Sequence, residues 1–407
     1  MNRRQFLGSL AGAFLPVVTR PDAGTLPPVR AITRGPKFHW FGYYDKLEFD
    51  PSGRYVLGME VGFEHRPPKP TDVIKVGMVD IDDGDRWIEL GESRAWCWQQ
   101  GCMLQWLPGS KTEIIWNDRQ GNHFVSHVVD VKSREKRTLA NPVYAVSPDG
   151  RWGVRPDFSR LDDCRPGYGY AGLVDSRKTE PAPADSGIWR IDLRTGEESF
   201  LFSLADLAKI PNPRRDGKGA KHYFNHLLWA PDGKRFAFFH LWLWENGQYW
   251  GRMFTANAEG KDLYLLDQGD TSHFWWRDPQ TVLAWAWHPS HASKFYLFED
   301  RTDKVQAVGL DVMTEDGHCS YLPDKRWILN DTYPDKQRNQ NPYLYNVKNG
   351  RKYPLGHFYS AKEYAGDWRC DNHPRFSPDG TKVVIDSPHG GNGRQLYLID
   401  VSRMVGL

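Results

Sequence analysis

Apolar positions along this chain fall in short runs separated by turn residues, and the same order of runs repeats. A short strand ends in a Pro-Asp-Gly-like turn, a hydrophobic strand follows, and a second apolar run then ends in Asp or Asn. The turns are Asp50-Pro51-Ser52-Gly53, Leu107-Pro108-Gly109, Ser147-Pro148-Asp149-Gly150, Ala230-Pro231-Asp232-Gly233, Arg277-Asp278-Pro279, Leu322-Pro323-Asp324 and Ser377-Pro378-Asp379-Gly380. Their chemistry suits tight turns: Pro presets φ, Asp bonds its own backbone, and Gly accepts positive φ. The runs that follow them, such as Glu113–Trp116, Phe236–Phe239 and Lys382–Ile385, are rich in β-formers. Closing runs such as His127–Asp130, Ile188–Asp192 and Leu396–Asp400 resemble one another.

Successive turns lie 57, 40, 83, 47, 45 and 55 residues apart. A four-stranded propeller blade takes about 40–50 residues, so the spacing predicts an all-β, seven-bladed β-propeller with loop insertions. The gap of 83 residues holds one blade plus an insertion. Residues 38–49 are expected to supply the strand that closes the ring. Two inserted segments stand out. Residues 158–187 contain Arg165-Pro-Gly-Tyr-Gly-Tyr170, and residues 203–221 contain a short helix expected at Leu204 to Ile210, followed by a basic loop. Loops on a rigid scaffold often build sites, which makes Arg165, Tyr168 and Tyr170 candidate substrate contacts.

Composition narrows the function. The formal charge of the 407 residues is +2, without the basic surplus of a nucleic-acid binder. Aromatic residues make up 14% of the chain, with 18 Trp; these are expected to serve as core between sheets and in part as stacking surface for sugars. Met1-Asn2-Arg3-Arg4-Gln5-Phe6-Leu7 places paired arginines before an apolar run too short to span a bilayer. That order matches a bacterial twin-arginine signal. Residues 1–28 are therefore read as an export leader recognised by the Tat machinery, and 29–407 as the propeller. The mature protein is expected in the periplasm or outside the cell, with no stable membrane insertion. Five cysteines, Cys97, Cys102, Cys164, Cys319 and Cys370, are too irregularly spaced for a standard zinc motif. Export permits a disulfide, with Cys97–Cys102 the nearest pair, but small buried thiols are the expectation for most of them.

Counting back from the turns exposes a second regularity. His226, His318 and His373 each lie five residues before the turn Pro, and His273 lies five before Asp278. Blades four to seven thus carry His at one register, near the start of the innermost strand, where four imidazoles would converge at one channel mouth. Blades one to three have Lys46, Met103 and Val143 there. Two residues upstream, on the same strand face, stand Asp316 and Asp371. Imidazole with carboxylate suits Mn²⁺ or Zn²⁺, with Ca²⁺ a third choice. His226, His318, Asp371 and His373 form the candidate ligand set; His226 and His273 could equally be catalytic. His123 and Lys221-His222-Tyr223 add His123, His222 and Tyr223 to the catalytic candidates.

Several of these segments are similar to a known group. Thr271-Ser-His273-Phe-Trp275, Gly317-His318-Cys-Ser320 and His373-Pro-Arg-Phe-Ser-Pro-Asp-Gly380 resemble segments of oligogalacturonate lyases, and His39-Trp-Phe-Gly-Tyr-Tyr-Asp45 resembles the propeller ulvan lyases. The resemblance spans essentially the mature chain. It implies a seven-bladed propeller with manganese held by histidines at the channel mouth, cleaving uronate glycans by β-elimination. It further implies His273 as the base and His318 and His373 as ligands. Asp371 falls where that family has another ligating His, and Trp368 where it has Gln. Against the ulvan lyases, His123 and Tyr223 match the catalytic His and Tyr, while Phe239-His240-Leu241 offers no match for their charge-neutralising Arg. The expectation is thus a metal-assisted lyase acting on a uronate-containing polysaccharide or oligosaccharide. The rivals are an exported sugar- or protein-binding propeller with a structural metal, and a metal-dependent hydrolase.

Overall fold

A computed structural model describes residues 26–406, so the twin-arginine motif and most of the expected leader lie outside the described residues. The chain forms seven four-stranded antiparallel sheets arranged as a β-propeller. Each Pro-Asp-Gly-type turn joins the first and second strands of a blade. In blade four, for example, Lys221–Trp229 turns at Pro231 into Arg235–Leu243, followed by Tyr249–Asn257 and Tyr264–Asp267. Gly53, Gly150, Gly233 and Gly380 take φ of 69–72° in these turns, a backbone conformation that disfavours any side chain with a Cβ.

The closing strand differs from the sequence expectation. Val29–Ala31 pairs with Tyr397–Ile399 and forms the outermost strand of blade seven. Residues 38–49 instead build the innermost strand of blade one, in two pieces. Phe38–Trp40 pairs with Met59–Val61, and Phe49 bridges to Val56. Residues 41–47 leave the ladder between those pieces, because Gly42 at φ 107° turns the backbone away. This sends Tyr43 and Tyr44 into the channel, where both are buried. The Tyr44 hydroxyl donates to the Phe274 carbonyl at 2.9 Å and accepts from the Phe274 N–H at 3.0 Å, which fixes the excursion to blade five.

Much of the aromatic content joins blade to blade. Three residues after the histidine register stand Trp106, Trp229 and Trp276. Their indole N–H groups donate to the carbonyls of Glu48, Ala145 and Leu228, each on the inner strand of the preceding blade. Burying an indole this way satisfies its one polar atom while its rings fill the wedge between sheets. Trp40, Trp96, Trp98, Trp116, Trp242 and Trp327 are also fully buried. All five cysteines are free and buried.

Because the inner strands run from the histidine register toward the turns, the turns cover one face of the ring. Both inserted segments cover the other. The first lies between the second and third strands of blade three and contains a helix the sequence reading did not include, α1 (Phe158–Cys164), capped by Asp157 through the Ser159 and Arg160 N–H groups. Buried Arg160 ties this segment down: it donates to the His222 carbonyl at 2.6 Å, to Asp175 at 3.0 Å and to the Glu180 and Pro181 carbonyls at 2.8 Å. Gly169 packs so closely on α1 that a Cβ would sit 2.1 Å from the Asp162 nitrogen. The second segment begins with α2 (Leu204–Ala208), close to the expected helix. Among the described residues no helix is long and apolar enough to cross a membrane.

Candidate metal and catalytic centre

The four register histidines meet at the covered mouth of the channel. The rings of His273 and His318 are 4.3 Å apart between centres, and those of His318 and His373 are 4.2 Å apart. Tyr43 stands among them, 4.9 Å from His226, 5.0 Å from His373 and 5.8 Å from His318. His226 and His373 hold φ of 53° and 42°. Such values are uncommon for residues with a side chain and persist only where surrounding structure imposes them. Met103, at the same register of blade two, does likewise at 56°.

Two carboxylates orient two of the imidazoles. Asp331 accepts from His318 Nδ1 at 2.9 Å and from the backbone N–H groups of His318 and His373 at 2.7 and 3.1 Å. Asp316 accepts from His273 Nδ1 at 3.0 Å and from the Ser272 hydroxyl at 2.7 Å. With Nδ1 bonded to a carboxylate, each ring has Nε2 left for other work. His318 Nε2 and His373 Nε2 are buried with no hydrogen-bond partner. An unpaired buried polar atom is costly, and two of them side by side point to a ligand. His318, Asp371 and His373 offer ligand atoms all within 4.8 Å of one another. Two imidazoles and a carboxylate suit a first-row divalent cation such as Mn²⁺ or Zn²⁺, so these residues fit a metal. His226 stands apart from the trio, with the Tyr43 ring between, and its Nδ1 accepts from Gln100 at 3.4 Å.

The electrostatics separate the histidines further. Burial pushes His318 down, but Asp331, Asp371 and Asp316 outweigh it, and its pKa lies above the ordinary value. Burial, opposed in part by Asp316 and deepened by His318, holds His273 below it. His226 and His373 are held well below by burial and neighbouring positive groups. His273 is therefore neutral near pH 7, with its ring fixed by Asp316, as a general base requires.

Next to this centre, with Tyr168 packed 5.8 Å from the His226 ring, lies a cleft of about 370 Å³ lined by Arg165, Tyr168, Tyr223, Tyr249, Asp367 and Arg369, among others. Arg369 reaches Asp371 with Nε at 2.7 Å and the Tyr168 hydroxyl with Nη2 at 2.8 Å. The Arg165 guanidinium lies 4.7 Å from the Tyr168 ring centre. Burial would raise the Tyr168 phenol, but Arg369 and Arg165 bring it below the ordinary tyrosine value. Tyr333, 39% exposed, has its ring centre 6.2 Å from that of His273 and 5.8 Å from that of His318.

No family model matches the chain, and no curated protein matches it significantly. Solved structures do. An oligogalacturonate lyase from Vibrio parahaemolyticus superposes with TM-score 0.66 at 15% identity, over 93% of this chain and 95% of that one. An oligogalacturonate lyase in complex with manganese gives 0.64 at 17% identity, over 95% and 96%. The chain shares their fold. The propeller is not confined to lyases: a Pyrococcus horikoshii acylaminoacyl peptidase matches at TM-score 0.50 and 12% identity, over 85% of this chain and 50% of that one.

The structure separates the remaining candidates. Arg165, Tyr168 and Tyr223 line the cleft, and burial raises the Tyr223 phenol to about 12. Tyr170 does not reach it: its ring stacks on Phe158 at 4.4 Å and its hydroxyl accepts from Asn117, both inside the core. His123 is exposed at a hairpin tip of blade two, opposite Gln120, and among the described residues makes no contact with the register histidines. His222 belongs to a buried relay. Arg252 Nε donates to His240 Nδ1 at 3.3 Å, leaving His240 Nε2–H to donate to His222 Nδ1 at 2.9 Å and His222 Nε2–H to donate to the Gly217 carbonyl at 3.2 Å. Asp331, Tyr333 and Arg369 escaped the sequence reading. Arg369 lies two residues before Asp371 and so shares its face by the same alternation that singled out Asp371. Asp331 follows directly on the second strand of blade six, Trp327–Asn330.

Proposed function

We propose that this protein is a polysaccharide lyase that cleaves a uronate-containing glycan or oligosaccharide by metal-assisted β-elimination. The observation that carries the reading is the pair of buried, unpartnered Nε2 atoms of His318 and His373 beside Asp371, next to the neutral, Asp316-oriented His273. His318, His373 and Asp371 would hold the divalent cation, Mn²⁺ or Zn²⁺. The bound cation supplies neutralisation of the uronate carboxylate, which acidifies the adjacent C–H.

The protein's own groups do the rest. His273 takes the proton α to the carboxyl; the freed electron pair forms the double bond to the β carbon; the β C–O bond breaks; and the departing oxygen takes a proton. The Tyr333 phenol, protonated at neutral pH and with its ring centre 6.2 Å from that of His273, is the donor. Arg165 and Arg369 give the cleft a positive character that favours acidic sugars. The leader motif at Arg3-Arg4 supports export, with action in the periplasm or outside the cell.

The test is incubation of purified protein, loaded with Mn²⁺ or Zn²⁺, with polygalacturonate, alginate, ulvan and glucuronoglycan fragments, following the ultraviolet absorbance of the unsaturated uronate product. A rise on at least one, abolished in His273→Ala, is expected. No rise on any of them rejects the reading.

A further inference from the structure

Beside the cleft, on the same face, five side chains alternate in one stack: Trp244, Arg215, Trp250, Arg214, Trp287. The Arg215 guanidinium carbon lies 4.9 Å from the Trp244 ring centre and 5.4 Å from that of Trp250. That of Arg214 lies 5.5 Å from Trp250 and 4.5 Å from Trp287. The sequence brings three separate elements together here. Trp244 and Trp250 flank the tip of the blade-four hairpin, Trp287 lies near the tip of the blade-five hairpin, and both arginines come from the basic loop after α2.

The stack is not a sealed core. Trp287 is 37% exposed and Tyr249, beside Trp250, is 54% exposed. Each guanidinium is held over two indole rings by cation–π attraction, which leaves its N–H groups for hydrogen bonds. Those groups are only partly used: Arg215 Nη2 donates to Gln248 at 2.8 Å, and Arg214 donates to the Gly269 carbonyl at 3.1 Å and pairs loosely with Asp270 at 3.6 Å. The loop itself, Pro211 to Lys221, has four Arg and Lys residues against one Asp. The stack also continues into the cleft, since Tyr249 lies against the Arg165 guanidinium at 4.8 Å.

We propose that this Trp–Arg ladder is a glycan subsite, which takes the flanking residues of an acidic polysaccharide as they leave the cleft across blades four and five. Two properties match that occupant. Exposed indole and phenol faces pack on the apolar face of a pyranose ring, and pre-ordered guanidinium N–H groups donate to carboxylate or sulfate oxygens. The site is then built to grip a polymer and not only a short oligosaccharide. This rests on reading the mouth as a uronate site, but its binding test is independent of that chemistry.

The experiment is native electrophoresis in gels containing polygalacturonate, ulvan or, as neutral control, hydroxyethylcellulose. Wild type, the double variant Arg214→Gln/Arg215→Gln and Trp287→Ala are compared, with melting temperatures alongside. Retardation of wild type in at least one acidic gel and not in the neutral one is expected. Loss of two charge-assisted contacts weakens that affinity by about tenfold or more in the double variant, and Trp287→Ala weakens it severalfold. On a productive substrate, KM for the polymer rises by the same factor while turnover of a short oligosaccharide is unchanged. Should the double variant melt much lower than wild type, Trp287→Ala, at the exposed end, decides the matter. Absence of retardation in every acidic gel, equal retardation in the neutral gel, or variants that bind as wild type does each overturn the proposal. Retardation lost in the variants, with no unsaturated product from any glycan, leaves the subsite standing and rejects the lyase reading instead.

Discussion

Blades one to three and blades four to seven are built on one plan and differ at one register. In the first three blades that position holds Lys46, Met103 and Val143, all buried. Lys46 lies over the Tyr144 ring at 4.5 Å, and Met103 and Val143 pack in the core. In the last four it holds histidines; the rings of His273, His318 and His373 lie against one another in sequence, and His226 joins them through the Tyr43 ring. The repeat supplies a place, and the residue put there decides between packing and chemistry. The two halves also contribute unequally around that place. Blade one sends Tyr43 across the channel to stand among the imidazoles, while blade six supplies Asp331, which orients His318 and ties down the His318 and His373 backbones.

The contrast can be broken in graded ways. His273→Ala should lower turnover by about 10²–10⁴-fold, the usual contribution of a positioned base, while metal content stays as in wild type; steady-state kinetics and metal analysis check both. Asp331→Asn keeps the shape but loses the charge behind His318, and should weaken metal binding by about 10–100-fold, measured by titration of metal-free protein. Met103→Ala, at the same register on the other side of the ring, should do the reverse. It should cost about 2–5 kcal/mol of stability by leaving a cavity, read by denaturant unfolding, with metal affinity unchanged.

The smallest effect concerns the His222 relay. Burial, reinforced by Arg252 and Arg160 and only partly opposed by the Gly217 carbonyl, lowers His222 to about 4. Between that value and the ordinary one near 6.5 the unfolded chain binds a proton that the folded chain does not. The stability from this group is complete above about pH 6.5 and falls as the pH drops toward 4. The melting temperature should therefore decline over that window, and less steeply in His222→Gln.

The seven blades were legible because Pro-Asp-Gly turns and alternating strands are local features, and the shared histidine position followed from counting along the repeat. Ring closure departs from the expectation because Val29–Ala31 is a short strand with no turn signal, paired to the far end of the chain. Residues 38–49 look strand-like because they are strand, interrupted at Gly42. Tyr170 stands two residues from Tyr168 on a Gly-rich loop, so spacing alone pairs the two, but the packing of Gly169 on α1 turns Tyr170 inward against Phe158. Asp331 and Tyr333 are placed by contacts between separate blades, which spacing along one strand does not display, whereas Arg369 shares the alternation that singles out Asp371.

The central claim is that the blade-four-to-seven register builds a metal centre from His318, His373 and Asp371. Calorimetric titration of Mn²⁺ or Zn²⁺ into metal-free wild type, His318→Ala and His373→Ala tests it most directly. One ion per chain in wild type, with binding lost in both variants while the fold is kept, is the predicted result; no binding to wild type, or undiminished binding to the variants, would contradict it.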